Sequence, residues 1–347
     1  YQIKYMDAVP DSAVCNEAVK LAKRHKFAQL SGFVNGVLRN IARNIDSVQF
    51  DTLSIRYSMP QWIVDRFVAE YGEKKAEEIF KAFHSKSTIS IRTNLTRCTP
   101  DELRAMLEAE GVTVTAVDEL NYAFVISGFD YLNGLQTFRD GLFYVQDISS
   151  MLVAQTAAPK KGDYVIDVCA APGGKSTHIA ELLQGSGHVL ARDLTDNKVG
   201  MIEENIDRHG LKNMSAEVWD ATVPDADSAG KADILICDLP CSGLGVLGRK
   251  KDIRYKMTPE SVDELAALQR QILDTVHTYV KPNGVLVYST CTIDEAENED
   301  NVRWFIEKHP EFELDKNFAE GTGMKQILPG EHGSDGFFIA RFIKSKL

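Results

Sequence analysis

Two cysteines, Cys241 and Cys291, each stand a few residues after an apolar segment whose length is typical of a buried strand. Cys241 lies in Asp-Leu-Pro-Cys-Ser-Gly at 238–243, and Cys291 lies in Ser-Thr-Cys-Thr at 289–292. If the two segments are neighbouring parallel strands, their carboxyl ends meet at the edge of the sheet where α/β proteins bind ligands. A thiolate at that edge is a nucleophile that can form a covalent intermediate. The pattern therefore predicts a reaction that uses a thiol.

A candidate cofactor loop follows the predicted strand at 163–168. Its residues are small and include two adjacent glycines, so a ligand can lie against the backbone beside a helix N-terminus. The loop is not a phosphate-binding P-loop, because Cys169 stands five residues before Gly174 where that loop needs glycine. The G-x-G-x-x-G pattern of dinucleotide sites is also missing. The candidate binding residues are Cys169, Ala170, Ala171, Pro172, Gly173, Gly174 and Lys175.

Acidic residues stand at the ends of the next two predicted strands. Asp193 lies 19 residues after Gly174, where a carboxylate can accept hydrogen bonds from both hydroxyls of a ribose. Asp220 follows the third strand, at a point suited to facing the edge of an adenine. The alternative for both acids is that they cap the following helices. With the loop, they predict that a nucleoside binds across the sheet.

One kind of methyl transfer requires a thiol. The C5 atom of cytosine is a poor nucleophile, and thiolate addition to C6 makes C5 enamine-like, so that C5 can attack a sulfonium methyl group. A base must then remove the C5 proton before the thiol is eliminated. Methylation of an exocyclic amine or a ribose oxygen needs no cysteine. Two thiols beside a nucleoside-containing methyl donor thus indicate methylation of a pyrimidine ring carbon.

The elements that must position these residues alternate between strands and helices after residue 162. We predict strands at 163–168, 188–192, 214–219, 233–237, 284–289 and 336–343. We predict helices at 197–209, 259–280 and 295–308. This alternation predicts a doubly wound, mostly parallel sheet of the α/β class.

The N-terminal part of the chain has a different pattern. Apolar residues recur at helical spacing over 12–45 and 60–84. Strand-like segments at 88–94, 112–117 and 122–126 surround a predicted helix at 100–110. We therefore expect a helical segment at 1–45, a small α+β module at 46–140 and an α/β domain at 141–347.

Composition gives further limits. The chain has 347 residues, of which 44% are hydrophobic and 26% charged, which is enough for two or three packed domains. Its net charge of −11 is unfavourable for binding nucleic acid, but local basic patches can still hold phosphates. Basic residues exceed acidic ones over 1–45 and again over 249–256, where the cluster comprises Arg249, Lys250, Lys251, Arg254 and Lys256. The alternative for each patch is an ordinary solvated face.

Cysteine use and hydropathy indicate the compartment. None of the six cysteines forms a C-x-x-C pair, which argues against a disulfide framework or a metal site. Cys15, Cys98 and Cys237 are expected to be small buried side chains. No apolar run approaches the roughly 20 residues of a membrane helix, and no signal peptide is visible. We expect a cytoplasmic protein without a membrane partner, and a monomer.

The segments 169–177, 238–243 and 289–292 resemble motifs I, IV and VI of the NOL/NOP2/Sun family of RNA cytosine-5 methyltransferases. The similarity spans nearly the whole chain and is greatest to the bacterial Sun branch. It implies a class I methyltransferase fold, with a Rossmann-like sheet of seven strands. Residues 1–45 resemble the last helices of a NusB-like RNA-binding domain, here shortened, and residues 46–140 resemble an RRM-like linking module.

The resemblance also implies residue roles. Cys291 matches the nucleophile that attacks C6, Cys241 matches the cysteine that helps release the methylated RNA, and Asp238 matches an acid beside the cytosine and the methyl donor. The loop at 169–175 matches the S-adenosyl-L-methionine site, with Asp193 at the ribose and Asp220 and Asp238 also at the cofactor. DNA cytosine-5 enzymes use the Pro-Cys cysteine as nucleophile, so Cys241 is the rival assignment.

The resemblance to the Sun branch implies 16S ribosomal RNA as the partner, free or in early assembly intermediates, and cytosine 967 as the target. Two alternatives stay open. The substrate is a different ribosomal or transfer RNA cytosine, or the protein is a non-catalytic RNA-binding assembly factor. Two departures from the family pattern, Leu239 in place of alanine and Arg192 beside Asp193, touch no reacting group in this interpretation.

Overall fold

The computed structural model describes residues 1–48, 51–85, 88–118 and 120–346. The chain divides into two compact units, Tyr1–Met59 and Pro60–Leu347. The first unit is helical, as the spacing of its apolar residues predicts. Lys26 adopts a positive φ of 67° just after the second helix, where the chain turns toward the third. The helices of this unit are α1 (Gln2–Tyr5), α2 (Asp11–Arg24), α3 (Ser31–Asn44) and α4 (Leu53–Arg56).

The second unit begins with two helices and a small antiparallel sheet. Gly72, with a φ of 78°, divides the helix predicted at 60–84 into two. Helix α7 starts in a capping box, in which Thr99 accepts from the backbone N–H of Glu102 and the Glu102 side chain accepts in return. The helices are α5 (Gln61–Tyr71), α6 (Glu73–His84), α7 (Pro100–Ala109) and α8 (Gln136–Arg139). The strands β1 (Ile89–Thr93), β2 (Thr113–Val117), β3 (Leu120–Ser127) and β4 (Phe143–Val145) pair in the order β2-β3-β1-β4.

The remainder of the second unit is built on a large sheet. Its helices are α9 (Ile148–Ala157), α10 (Gly174–Leu182), α11 (Asp196–His209), α12 (Ile253–Lys256), α13 (Pro259–Val276) and α14 (Glu299–Lys308). Its strands are β5 (Tyr164–Asp167), β6 (His188–Asp193), β7 (Met214–Val218), β8 (Ala232–Asp238), β9 (Val280–Thr290), β10 (Phe312–Leu314), β11 (Met324–Ile327) and β12 (Phe337–Lys344).

The strand order confirms the predicted α/β sheet. The order is β10-β12-β9-β8-β5-β6-β7, and β5 to β9 run parallel to one another, whereas β12 runs antiparallel to β9 and β10. Seven strands form this path, as predicted. Among the described residues the sheet also has an eighth strand, β11, which pairs with β12. Its segment has no apolar alternation that would have predicted it.

Apolar side chains cover both faces of the large sheet. In β5, Val165 and Ile166 are both fully buried but belong to different hydrophobic clusters, because successive side chains of a strand point to opposite faces. One cluster packs against α13 and α14. The other packs against α9, α10 and α11. Helices on both faces make the sheet doubly wound, and they explain why its strands are near-continuous apolar runs.

Arg92 joins the small sheet to the large one. It extends from β1, is fully buried and forms an ion pair with Glu181 of α10. Its guanidinium also donates to Gln146 Oε1 at 2.9 Å and to Thr177 Oγ1 at 3.1 Å. Since a buried charge is costly without a partner, this network fixes β1 against the helix that follows the cofactor loop.

Among the described residues, no helix is both long enough and apolar enough to cross a membrane.

Candidate active site

The carboxyl ends of four parallel strands bring the predicted site residues to one edge of the sheet. Asp167, Asp193 and Asp238 are the last residues of β5, β6 and β8, and β9 ends one residue before Cys291. The register aligns these ends, since Asp167 pairs beside Ile236 and Asp238 beside Ser289. The sheet topology therefore brings the cofactor loop and both cysteines together, as predicted.

The loop after β5 is held from both ends. Asp167 is buried and accepts hydrogen bonds from Ser176 Oγ and, at 3.4 Å, from the backbone N–H of Cys169. The pKa of Asp167 is raised to about 7, chiefly by burial and also by the nearby Asp238, while the bond from Ser176 opposes the rise. Burial also raises the pKa of the Cys169 thiol. Cys169 is therefore a neutral lining group in this loop and not a nucleophile.

The tip of the loop needs its small residues. Gly173 has a φ of 103°, in the region that favours glycine, and a Cβ there would stand 3.4 Å from the side chain of Ile202. A Cβ at Gly174 would stand 3.3 Å from the ring of Tyr144. The carbonyl of Pro172 accepts from Asn205 Nδ2 at 2.9 Å and from the Tyr144 hydroxyl at 3.3 Å. These contacts position the loop at the N-terminus of α10.

Asp193 lies beside this loop. Its Oδ2 accepts from the Ala171 N–H at 2.9 Å, and its Oδ1 accepts from the Leu194 N–H at 2.8 Å and from Lys198 Nζ at 2.9 Å. A carboxylate has about four acceptor sites, so capacity remains for a hydroxyl. The Lys198 side chain is 48% exposed and is free to turn toward solvent. The carboxylate is thus fixed at the strand end with acceptor capacity left for a ligand.

Asp220 is anchored more loosely. The backbone N–H of the preceding residue, Trp219, donates to the Asp193 carbonyl at 3.0 Å, which keeps the two acids at adjacent strand ends. Asp220 Oδ1 accepts from the N–H and the hydroxyl of Thr222, and these bonds lower its pKa. Within the described chain its Oδ2 makes no hydrogen bond. This oxygen remains available to a ligand at the edge of the site.

The two cysteines are in direct contact. The Sγ atoms of Cys241 and Cys291 lie 3.3 Å apart, within hydrogen-bonding distance for sulfur. The loop that follows Cys241 is tied to the Cys291 segment, because Gly245 donates its N–H to the Cys291 carbonyl at 3.1 Å and accepts from the Gly336 N–H at 2.9 Å. A Cβ on Gly245 would lie 2.3 Å from the Gly336 carbonyl oxygen, so only glycine fits there. Both thiols can therefore face one substrate atom.

The surroundings of the two thiols shift their pKa values in opposite directions. The hydrogen bond from Cys241 lowers the pKa of Cys291, Lys175 and Lys250 lower it further, and burial and Asp238 oppose them. The same contact, with burial, raises the pKa of Cys241 well above its ordinary value. The pKa of Cys291 is thus lowered and that of Cys241 raised, which favours Cys291 as the thiolate of the pair. A thiolate is the reactive form of cysteine.

Asp238 connects the cysteines to the cofactor loop. Its Oδ2 accepts from Lys175 Nζ at 2.6 Å, and its Oδ1 accepts from Ser289 Oγ at 2.8 Å. Lys175 also stands 5.3 Å from the ring centroid of Phe337. One predicted loop residue and one predicted catalytic acid are therefore a charged pair next to Cys291.

Sequence reasoning missed the group that supports the Cys241 loop. Glu297 is fully buried, and its Oε1 accepts from the Ser242 N–H and from Gln269 Nε2, both at 2.9 Å. Its other oxygen accepts from Ser242 Oγ, and Gln269 Nε2 also donates to the Pro240 carbonyl at 2.8 Å. The helix predicted at 295–308 begins only at Glu299, because the preceding residues form this buried polar turn. A run of polar residues directly after Cys291 was the available signal.

The basic cluster predicted over 249–256 is only partly exposed. Arg249 is paired with Asp147 at 2.8 Å and with Asp335 at 2.7 Å. Arg254 is buried, with NH2 donating to the Leu247 carbonyl. Two arginines of the predicted cluster are therefore engaged within the chain, one by carboxylates and one by burial. Lys250 and Lys251 are exposed, and Lys250 is close enough to Cys291 to lower its pKa.

Comparison with known families identifies the chain. The family model described as 16S rRNA methyltransferase RsmB/F matches residues 154–343, more than half of the chain. The chain belongs to this RsmB/F family. The model of the family's ferredoxin-like domain, described as Methyltr_RsmF/B-like, matches residues 59–129, and the NusB family model matches residues 1–43.

Individual relatives agree with the RsmB/F assignment. The probable ribosomal RNA small subunit methyltransferase B of Bacillus subtilis is 38% identical over 362 residues, covering 99% of this chain and 80% of that protein. Ribosomal RNA small subunit methyltransferase B of Shewanella oneidensis is 32% identical with the same coverage. The crystal structure of PH0851 superimposes with a TM-score of 0.82 at 28% identity, over 99% of this chain and 80% of that one.

Membership in the RsmB/F family confirms the predicted enzyme class and fold. The chain is a methyltransferase of the Sun type with S-adenosyl-L-methionine as its cofactor. The observed edge of the sheet fits that group. A glycine-rich loop at a helix N-terminus, the buried Asp193 carboxylate and the available Asp220 oxygen provide the surfaces that a nucleoside needs.

Proposed function

We propose that this protein methylates C5 of a cytosine in 16S ribosomal RNA through a covalent bond between Cys291 and C6. The single observation that carries the proposal is the pair of thiols 3.3 Å apart, whose contact lowers the pKa of Cys291. Methylation of an oxygen or an exocyclic nitrogen has no use for that pair. The RNA class is supported by the descriptions of the family and of its relatives.

The first step is nucleophilic addition. The Cys291 thiolate, stabilised by the Cys241 S–H and by the charges of Lys175 and Lys250, attacks C6 of a cytosine that has left its base stack. A new S–C6 bond forms, and the displaced π electrons make C5 nucleophilic. Asp238 lies beside the reacting sulfur, with its carboxylate fixed by Lys175 and Ser289. The acid is thus positioned to orient the base.

The cofactor contributes one property. When bound, S-adenosyl-L-methionine would supply a methyl group on a positively charged sulfur; the sulfur–methyl bond would break as the C5–methyl bond forms, leaving the neutral thioether S-adenosyl-L-homocysteine. We assign its contacts to the loop at 169–175, with Asp193 at the ribose and Asp220 at the adenine. The charged Lys175 belongs both to this loop and to the Asp238 pair, so the methyl donor and the cytosine are positioned by shared contacts.

The last step releases the product. A base removes the C5 proton, the C5–C6 double bond re-forms and the S–C6 bond breaks, which returns the electron pair to Cys291 as a thiolate. The Cys241 S–H stands ready to donate to that departing sulfur. Because a hydrogen bond stabilises the charged leaving group, Cys241 accelerates elimination. This assigns different roles to two adjacent, chemically identical side chains.

RNA contacts come from several parts of the chain in this proposal. The helical unit matches the NusB family model, and its α2 and α3 carry most of the basic residues of 1–45. Lys250 and Lys251 are exposed, and Lys250 is near Cys291. The module before the catalytic sheet links the two regions. We propose domains at 1–45, 46–140 and 141–347, and a monomer that acts in the cytoplasm on free rRNA or early assembly intermediates.

Bisulfite sequencing of total RNA from cells with and without the gene tests the proposal. We expect one protected cytosine in 16S rRNA, at position 967 by family resemblance, to lose protection when the gene is deleted. Restoring the wild-type gene should restore protection, whereas the Cys291→Ala gene should not. Loss of protection only in a transfer RNA would show that the substrate is that transfer RNA and not 16S rRNA. Unchanged protection everywhere, with no transfer of labelled methyl groups to rRNA, would leave an RNA-binding assembly factor.

A further inference from the structure

Two histidines pack against each other at the opposite end of the helices that cover one face of the sheet. His277 follows the last residue of α13, and His309 follows the last residue of α14. Their ring centroids are 3.9 Å apart. Neither histidine has a role in the proposed methyl transfer, and neither belongs to a motif that the sequence predicts to be functional.

Carboxylates complete the group. Asp274 stands one helical turn before His277, and residues at this spacing lie on the same face of a helix. One potential ligand atom from each of Asp274, His277 and His309 lies within 4.8 Å of the other two. Glu311 Oε1 lies 3.8 Å from His277 Nε2 and 3.8 Å from His309 Nδ1. Two imidazoles and two carboxylates thus converge from two segments of the chain, the end of α13 and the residues after α14.

The hydrogen bonds leave ligand atoms available. His277 Nδ1 donates to the backbone carbonyl of Asp274 at 2.8 Å, which leaves the Nε2 lone pair for a metal ion. His309 is 6% exposed, and its Nε2 is a buried polar atom that makes no hydrogen bond among the described residues. That atom lies 3.2 Å from Asp274 Oδ1. Such a separation is close to that of two ligands on one ion with bonds of about 2.0–2.1 Å.

Cations already near the group do not occupy these atoms. Lys308 Nζ binds Asp274 through Oδ2 at 2.9 Å, so Oδ1 stays available. Lys344 lies beside Glu311 and donates to the Val280 carbonyl. Burial lowers the pKa of both histidines, so their rings are neutral near pH 7 and carry a lone pair.

We propose that Asp274, His277 and His309 form a binding site for a divalent transition metal ion, with Glu311 as a fourth ligand or an outer partner. Imidazole and carboxylate ligands suit zinc, nickel or cobalt. A carboxylate and a histidine at this helical spacing are a known way of presenting two ligands to one ion. The ion joins the end of α13 to the end of α14, away from the reacting thiols. Its role is structural.

Cobalt titration of the full chain tests the site, because cobalt reports its ligands spectroscopically. We expect about one Co²⁺ per chain, with visible bands of nitrogen and oxygen ligation and without the thiolate charge-transfer band that binding at Cys241 and Cys291 would give. Losing a ligand should weaken binding by more than the 10–100-fold that is typical of an outer partner. Asp274→Asn and His277→Ala remove partly exposed ligands and should fold normally.

Three comparisons decide the outcome. His25→Ala, which removes an exposed histidine in the helical unit, should bind cobalt like the wild type. Saturating Zn²⁺ should raise the midpoint of thermal unfolding of the wild type by about 3 °C or more, and should not raise it in His277→Ala. Circular dichroism checks the fold of each variant. An absence of cobalt binding, binding that persists in both ligand variants, or a thiolate band as the sole signal would each overturn the proposal.

Discussion

The two halves of the site, at the ends of β5 to β7 and at the ends of β8 and β9, are built in different ways. At the cofactor half, a continuous loop presents backbone to the ligand, and Asp193 and Asp220 are held chiefly by neighbouring N–H groups. At the reacting half, the important contacts join side chains far apart in sequence, such as Cys241 with Cys291 and Ser242 with Glu297. The contacts of the cofactor half are mostly local, whereas those of the reacting half form only when distant segments of the chain have folded together.

This difference sets the consequence of mutation. A local loop tolerates the loss of one hydrogen bond, because several backbone contacts still hold the ligand. The reacting half requires two sulfur atoms to stay in hydrogen-bonding distance, and a displacement of about 1 Å is enough to lose much of the rate. Substitutions at the reacting half should therefore lower turnover strongly, whereas those at the cofactor half should weaken binding moderately.

The largest effect is expected for Cys291→Ala, which removes the nucleophile. Methyl transfer to 16S rRNA should fall by about 10⁴-fold or more, because C5 is then not activated. Transfer of labelled methyl groups measures it, with Cys98→Ala, a half-buried thiol in the small sheet module, as the control that should remain active. Substantial activity of Cys291→Ala would show that the other thiol attacks C6.

The next largest effect is expected for Cys241→Ala, which should slow turnover by about 10²–10³-fold at the release step. The Cys291–C6 adduct should then accumulate, since the leaving sulfur loses its hydrogen-bond donor. A protein–RNA complex that survives denaturing electrophoresis measures the adduct. If Cys291→Ala accumulates the complex and Cys241→Ala does not, the two roles are exchanged.

The sequence predicts most of the reacting residues but not what holds them. Cys241, Cys291 and Asp238 stand in short motifs after apolar strands, so their meeting follows from parallel strand order. The contact between the two sulfurs, and the preference for Cys291 as thiolate, depend on loop packing around Gly245 that no local pattern encodes. For the same reason, Glu297 was read as part of a helix.

The same limit applies to the fold. Long periodic elements, including the central strands and α13, follow from their apolar spacing. The short strands β4, β10 and β11 have three or four residues each and form only because a partner strand is already present. The pairing of Arg249 with Asp147 and Asp335 likewise joins residues distant in sequence. It engages an arginine that the count of basic residues had suggested for binding RNA phosphates.

A pH profile distinguishes the two thiols. The hydrogen bond from Cys241 lowers the pKa of Cys291 in the wild type, so removing that donor raises this pKa again. At a given pH below it, less of Cys291 is then thiolate. The rate of its alkylation by iodoacetamide, followed by mass spectrometry, should therefore shift to higher pH in Cys241→Ala. An unchanged profile would show that Lys175 and Lys250 alone set the thiolate.

Variants of Glu297 test whether the buried hydrogen bonds that hold the Cys241 loop matter for catalysis. Glu297→Ala removes the acceptor for Ser242 and should lower kcat by about 10-fold, as the Cys241 loop loses its position. The KM for RNA and the affinity for the cofactor should stay near wild type. Glu297→Gln keeps an oxygen acceptor and should recover most of the activity. An equal loss in both variants, with weakened cofactor binding, would indicate general destabilisation instead.

The smallest effects are expected at the cofactor half, where the two acids should differ. Asp193→Asn should weaken S-adenosyl-L-methionine binding by about 10-fold, because a charged acceptor for the ribose is replaced by a neutral one. Asp220→Asn should weaken it only a few-fold, since the Asp220 carboxylate is largely solvated and offers one oxygen. Isothermal titration calorimetry with the purified chain measures both affinities. A larger loss at Asp220 than at Asp193 would mean that the adenine contact, and not the ribose contact, anchors the cofactor, and the division between a local and an assembled half would then have to begin at β7.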